Sequence, residues 1–240
     1  GQDCAYNSYN QDDLKWTVRE ENSILHFASS YGMTNLVQHL FTFLQEYGID
    51  VNARNRIRRT AFLFACLNGH TEVVKLFLDN REKYNVKVNA SDHYKMSPFI
   101  AASMNNNWTI VKLLLQAGGI NFNAVDSLRR NAFIWACING NVEVMQMLLS
   151  FAVDNKNAID FNKKDKTRRT GYFHSCFYPS GNRQTISKML KDNAKVLRIS
   201  TDDQDEFTLR TGDEWRKINE RHDRSSRQPS YFFICYSTCC

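Results

Sequence analysis

At 240 residues, with 42% hydrophobic and 23% charged, the chain exceeds one average domain but fits either a single elongated array or two small domains. That balance excludes wholesale disorder, only 3 prolines and 10 glycines leave too few turns for an all-β sandwich or barrel, and apolar runs such as residues 61–67 are too short to span a bilayer. The net charge of +6, from 31 basic and 25 acidic residues, permits an acidic partner without requiring one.

In chain order, residues 1–21 carry no periodic pattern and read as a lead-in or cap. From residue 22 a unit recurs, aligning without gaps at residues 23–28, 60–65, 97–102, 131–136 and 170–175, at spacings of 37, 37, 34 and 39. A fixed period of this size announces a stacked array. Each unit opens on an apolar first helix that a glycine stops at Gly32, Gly69 and Gly140, replaced by Asn106 in the third copy and delayed to Gly181 in the fifth. A second helix follows, with one apolar face drawn by Val37 and Leu40, Val74 and Phe77, Val111 and Leu114, or Met145 and Leu148. A short β-compatible piece at residues 51–53, 88–90, 122–124 and 161–163 then precedes a polar turn. The unit reads as helix, turn, helix, hairpin, and stacking lets each helix pair bury a face it could not bury alone. The aromatic residues at one recurring position, Phe62, Phe99, Phe133 and Tyr172, are expected to form a buried row.

These residues resemble the ankyrin repeat. Ser97-Pro98 and Leu25-His26 match the opening of its signature, Gly69-His70 its middle, and Asp92, Asp126 and Asp165 its hairpin aspartate. The resemblance covers residues 22–192 and implies an all-α repeat solenoid of about five helix-turn-helix units joined by β-hairpin fingers. The spacings exceed the usual period. The surplus lies between second helix and hairpin, as four residues after each of the first two copies, one after the third and six after the fourth. Extended loops should therefore project from one face. The fifth copy reads as a degenerate end cap.

Candidate chemistry is sparse. The seven cysteines, Cys4, Cys66, Cys137, Cys176, Cys235, Cys239 and Cys240, are odd in number and follow no apolar signal segment, which points to a reducing, intracellular and cytoplasmic setting. Because the chain opens at Gly1 without an initiator methionine, it also reads as a fragment of something longer. Cys66, Cys137 and Cys176 share one repeat position and are expected to be small core residues. The histidines show no metal-ligand spacing, and no nucleophile elbow, phosphate loop or carboxylate pair is present, so no metal, cofactor or catalysis is expected.

One departure from the repeat signature recurs. Arg58, Lys95, Arg129 and Arg168 stand where the family has a hairpin glycine, and Arg59, Arg130 and Arg169 follow directly. A left-handed turn there would cost each non-glycine roughly 1–2 kcal/mol. The aligned tips would form a basic ladder, serving either as a solvated edge that blocks strand pairing or as a face for an acidic surface. Residues at family contact positions complete the expected protein-binding set: Arg56, Ile57, Tyr94, Met96 and Leu128 at the tips, with Leu67, Asn68, Met104, Asn105, Ile138 and Asn139 on the first helices. The resemblance also implies that Asn52, Asn89, Asn123 and Asn162 could be hydroxylated, against the simpler reading that each amide bridges backbone groups in its turn.

The tail, residues 193–240, does not repeat; an acidic block precedes a basic one, and Cys239-Cys240 end the chain. The resulting expectation is a monomeric, non-catalytic protein-interaction array with no membrane span. The alternatives are a targeting arm of a larger enzyme or channel, and direct binding of nucleic acid or anionic lipid by the ladder. The modest net charge disfavours nucleic acid.

Overall fold

The structure, a computed structural model, describes residues 21–46, 48–156, 158–177 and 181–201. The opposed charge blocks, the terminal cysteines and Cys4 lie outside the described residues.

Five helix pairs follow one another, as the repeats require. They are α1 (Ile24–Ser30) with α2 (Thr34–Thr42), α3 (Ala61–Asn68) with α4 (Thr71–Asp79), and α6 (Pro98–Met104) with α7 (Trp108–Gln116). The last two are α8 (Ala132–Asn139) with α9 (Val142–Asp154), and α10 (Gly171–Phe177) with α11 (Gly181–Leu197). A single extra turn, α5 (Arg81–Tyr84), fills the insertion after the second pair, and the insertion after the fourth is absorbed largely by lengthening α9 to 13 residues. After the second and fourth pairs the surplus thus becomes extra helix at the far end of the second helices, whereas after the first pair residues 43–46 form a turn.

The helix starts are set by their caps. The side chains of Thr60, Ser97, Asn131 and Thr170 accept the backbone N–H three residues on, at 3.2, 3.3, 3.0 and 3.2 Å. Each satisfies a donor that the helix itself leaves orphaned. In the first four pairs the stops are as sequence demands: Gly32, Gly69 and Gly140 have φ of 67°, 82° and 71°, and Asn106 takes the same left-handed state at 56°; in the fifth, Gly181 is no stop but the first residue of α11, outside the left-handed region.

First helices pack against first helices and second against second along the array. Their shared interior is one continuous apolar cluster from Leu25 to Ile199. Phe62, Phe99, Phe133 and Tyr172 are buried within it. The ring partners are not successive members of the row: Phe62 meets Phe77 at 5.5 Å, Phe99 meets Phe122 at 5.2 Å and Phe133 meets Phe161 at 4.9 Å. Phe62, Phe99 and Phe133 are thus wedged against the second helix or the post-helix segment of their own repeats. The helix α11 runs past residue 192 to Leu197, and Ile199 is also buried.

The hairpin expectation needs correction. Among the described residues there is no β-strand. Each finger is a five-residue turn closed by two backbone hydrogen bonds, as in Asp126 N to Arg130 O and Arg129 N to Asp126 O, both 3.0 Å. Ladders this short cannot build a strand. The fingers are instead joined one to the next by single bonds, His93 N to Ile57 O (2.9 Å), Ser127 N to Tyr94 O (2.8 Å) and Lys166 N to Leu128 O (2.9 Å).

Candidate functional site

Each finger is organised by one acceptor at its base. The Oδ1 atom of Asp92 accepts from Tyr94 and Met96 N–H, that of Asp126 from Leu128 and Arg130, and that of Asp165 from Thr167 and Arg169, all between 2.7 and 3.1 Å. Asn55 takes this role in the first finger through Arg59 N–H at 2.8 Å. Tying residues two and four positions on to one oxygen bends the chain sharply, and the residue between them absorbs the bend. Arg58, Lys95, Arg129 and Arg168 sit there with φ of 64°, 59°, 60° and 63°. All four are exposed, and among the described residues their side chains make no hydrogen bond or ion pair.

The arginines that follow behave differently. Arg59 pairs with buried Asp92 of the next finger at 3.2 Å, and its guanidinium lies 5.6 Å from the Phe64 ring centroid. Arg130 lies 3.8 Å from Asp165 and 5.0 Å from the Trp135 ring, and Arg169 lies 5.2 Å from that of Phe173. None of these three is exposed. They tie finger to finger and finger to first helix, so the ladder of seven cations resolves into four outward ones and three fastened inward.

Where Met96 replaces the inward arginine, by register Asp126 lacks the partner from the preceding finger. Trp135 Nε1–H donates to its Oδ2 instead, at 2.9 Å. Burial there pushes the Asp126 carboxyl above its ordinary range, against the opposing hydrogen bonds and the Arg130 charge. At Asp165 burial pulls the same way, but hydrogen bonds from His174 (3.0 Å), Thr167 and Arg169 N–H prevail and hold it below the ordinary range. His174 and His26 are both depressed by burial, which outweighs the hydrogen bonds that favour their charged forms. His26 receives Ser23 N–H on Nδ1 at 3.1 Å and faces Arg59 O from Nε2 at 3.0 Å, which fits a neutral ring donating from Nε2.

Other expected contact residues also serve the stack. Met96 and Met104 are buried, which removes them from an open contact surface; the finger's closure tucks Met96 inward and Met104 ends a helix buried along its length. Asn68, Asn105 and Asn139 donate to the carbonyls of Ser30, Leu67 and Met104 in the preceding first helix, at 2.9, 2.7 and 2.8 Å. Leu67, Ile138, Ile57, Tyr94 and Leu128 are half-buried, and Arg56 is exposed.

The asparagine series forms a second clamp. Asn52, Asn89, Asn123 and Asn162 donate through Nδ2 to Asn85 O, Gly119 O, Ala158 O and Arg198 O, at 2.7–3.0 Å. Their Oδ1 atoms accept from Lys87, Asn121, Asp160 and Ser200 N–H, at 2.7–2.9 Å. Each amide therefore bridges to the next repeat's loop, not within its own turn. The four copies share one geometry, which the sequence series could not reveal by itself.

Cys66 and Cys137 are core residues with thiols pushed up by burial, whereas Cys176, expected in the same role, is exposed: among the described residues no further repeat follows α10 and α11 to bury it. Among the described residues no group of three His, Cys, Asp or Glu could hold a metal, and no helix is long and apolar enough to cross a membrane.

Helix pairs stacked through recurrent amide clamps, with an Asx-turn finger between each pair, define a helical repeat array. The family model described as ankyrin repeats in three copies matches residues 25–126 and 99–200, and the chain belongs to the ankyrin-repeat family. Such repeats generally mediate protein–protein interaction and are generally non-catalytic. A comparison with curated proteins finds no match.

Proposed function

We propose that the chain is a non-catalytic module that binds a partner protein along its finger tips and the exposed side of its first helices, with an acidic patch of the partner meeting the outward cations. The observation that carries this reading is the row of Arg58, Lys95, Arg129 and Arg168. All four hold a left-handed backbone that glycine would adopt without cost, and all four keep their charge in solvent. The cross-finger hydrogen bonds fix the spacing of that row, and Ile57, Tyr94 and Leu128 stand beside the cations as apolar anchors. Arg56, Leu67 and Ile138 extend the surface. Hydroxylation of Asn52, Asn89, Asn123 or Asn162 would have to release the paired amide bonds, and the binding role does not depend on it.

The test is charge reversal where charge is outward. A partner captured by cross-linking is first identified, and its affinity is then measured for the chain carrying Arg58→Glu, Lys95→Glu, Arg129→Glu and Arg168→Glu. Binding should fall by about tenfold or more at low salt, with the urea midpoint little changed, since exposed charges act on association and not on the core. Equal affinity at low salt removes the row from the interface. Random duplex or single-stranded oligonucleotides should bind weakly at physiological salt, and submicromolar, sequence-selective binding would make nucleic acid the partner.

A further inference from the structure

The insertion after α4 does more than lengthen a loop. With the base of the finger before it, it encloses an open cleft of about 590 Å³ lined by Arg54, Arg58, Arg81 and Lys87 against one acid, Glu82. That acid is already beside Arg81, whose Nε lies 3.5 Å away. Arg81 itself is fastened to the next repeat by donating from Nη1 to Ala117 O and Gly118 O, at 3.1 and 2.8 Å. Arg54 is held too: Nε donates to Arg58 O at 3.0 Å, and Nη2 donates to Ser91 O. These bonds leave further N–H donors of Arg54 unused. The side chains of Arg58 and Lys87 make no hydrogen bond or ion pair among the described residues. The basicity of Arg54 is depressed by burial first and then by the neighbouring Arg58 charge, against the opposing pull of Asp92.

We propose that this cleft binds a phosphoryl group carried on a side chain of the partner protein. Three cationic groups without a carboxylate of their own, two of them guanidiniums, suit a dianion with three acceptor oxygens better than a single carboxylate. The left-handed Arg58 and the Asn52 clamp on Lys87 N–H fix where those two backbones stand, and two carbonyl bonds hold the Arg54 guanidinium, so the ordering cost on binding falls on the exposed Arg58 and Lys87 side chains. The cleft lies at the base of a finger whose tip carries Arg58, which places it beside the proposed docking row. The inference rests on that reading for its source of phosphate and specifies one modified residue on the partner.

The test uses the full chain, labelled with nitrogen-15, and follows amide shifts on titration. The probes are an acetylated Gly-phosphoserine-Gly amide, its glutamate analogue, inorganic phosphate, and phosphatidylcholine vesicles containing phosphatidylinositol 4-phosphate. Expected are saturable shifts at Lys87, Asn89 and Ser91 with the phosphoserine peptide, about tenfold tighter than with glutamate, one charge-assisted hydrogen bond's worth. The combined variant Arg58→Gln, Lys87→Gln should weaken that binding by about fivefold to tenfold with an unaltered spectrum elsewhere. Equal binding of the glutamate peptide, binding of free phosphate but not the peptide, or tighter binding of the vesicles through the same amides would each overturn the proposal. So would shifts centred on the fingers of Arg129 and Arg168. Failure here leaves the effect of Lys95→Glu, Arg129→Glu and Arg168→Glu on the partner untouched, and failure of the tip row leaves phosphoserine binding at the cleft untouched.

Discussion

Replacing Gly171 by alanine should destabilise the array, although alanine is normally the better helix residue. Gly171 opens α10, and its backbone φ lies outside the left-handed region, so conformation does not demand glycine. Space does: a Cβ would lie 2.3 Å from Cε1 and 2.8 Å from Cδ1 of Phe133 in the preceding first helix. The equivalent residues Ala61, Pro98 and Ala132 all carry a Cβ, so the contact is particular to this junction. Phe133 has little room to yield, being fully buried and set edge-on to Phe161 at 4.9 Å and 87°. Overpacking costs about 1–3 kcal/mol, and the propensity gain of about 0.5–1 kcal/mol offsets part of it, leaving a loss of up to about 2.5 kcal/mol. In a Phe133→Leu background the clash has less to meet, and the same substitution should become neutral or stabilising, with a coupling of about 0.5–2 kcal/mol. Urea melts of the four chains, with hydrogen exchange of α8 amides to localise the effect, measure it. A gain in stability on Gly171→Ala in the unaltered chain would refute the reasoning.

Stability should fall as pH drops from about 6.5, because the unfolded chain protonates its histidines at their ordinary value while His26 and His174 resist until lower pH. Replacing either by Gln should flatten that slope in pH-dependent thermal melts; an unchanged slope in both variants would contradict it. Arg129→Gly should raise stability by about 0.5–1 kcal/mol by relieving the left-handed strain at φ 60°, and a lowered urea midpoint would show that the finger tolerates arginine without cost. Cys176 should be alkylated by iodoacetamide in the native state while Cys66 and Cys137 react only on unfolding, as peptide mapping would show; labelling of Cys66 first would mean the first helices open locally.

What the sequence made legible was whatever recurs. The helix pairs, their caps, the glycine stops at Gly32, Gly69 and Gly140, and the left-handed position before each repeat all follow from residue type at a fixed spacing, whereas Gly181, off that spacing, opens a helix. What it hid was direction. Asn68, Asn105 and Asn139 have the composition of a polar contact surface, and only the approach of the preceding helix shows that their amides are spent on its carbonyls. Met96 and Met104 mislead in the same way, since a contact position on a generic repeat becomes core when this finger folds inward. The cleft at Arg54 and Lys87 joins residues from a finger and an insertion, and no periodicity connects them.

The paired arginines bear most directly on function, because two neighbours of equal charge have opposite fates. Successive side chains at a tight turn point to different sides, so one of each pair must face the stack. The inward one is retained only where it has both a ring and a carboxylate or another partner to meet. Arg59 has Phe64 and Asp92, and Arg130 has Trp135 and Asp165. In the third repeat Met96 takes the arginine's place, Ala101 takes the ring's, and the next aspartate turns to an indole N–H instead. Among the four fingers, the one that lacks the inward arginine also lacks the ring, which fits a structural role for that arginine, while in the first repeat Phe27 keeps a ring at this register behind Asn22. The outward cation follows no such rule: it is basic in all four fingers whether or not its neighbour is, and nothing in the stack holds it. A charge kept at a strained position with no side-chain partner among the described residues is free to meet a binding partner, and that asymmetry is why the binding reading rests on Arg58, Lys95, Arg129 and Arg168 and not on the full basic count.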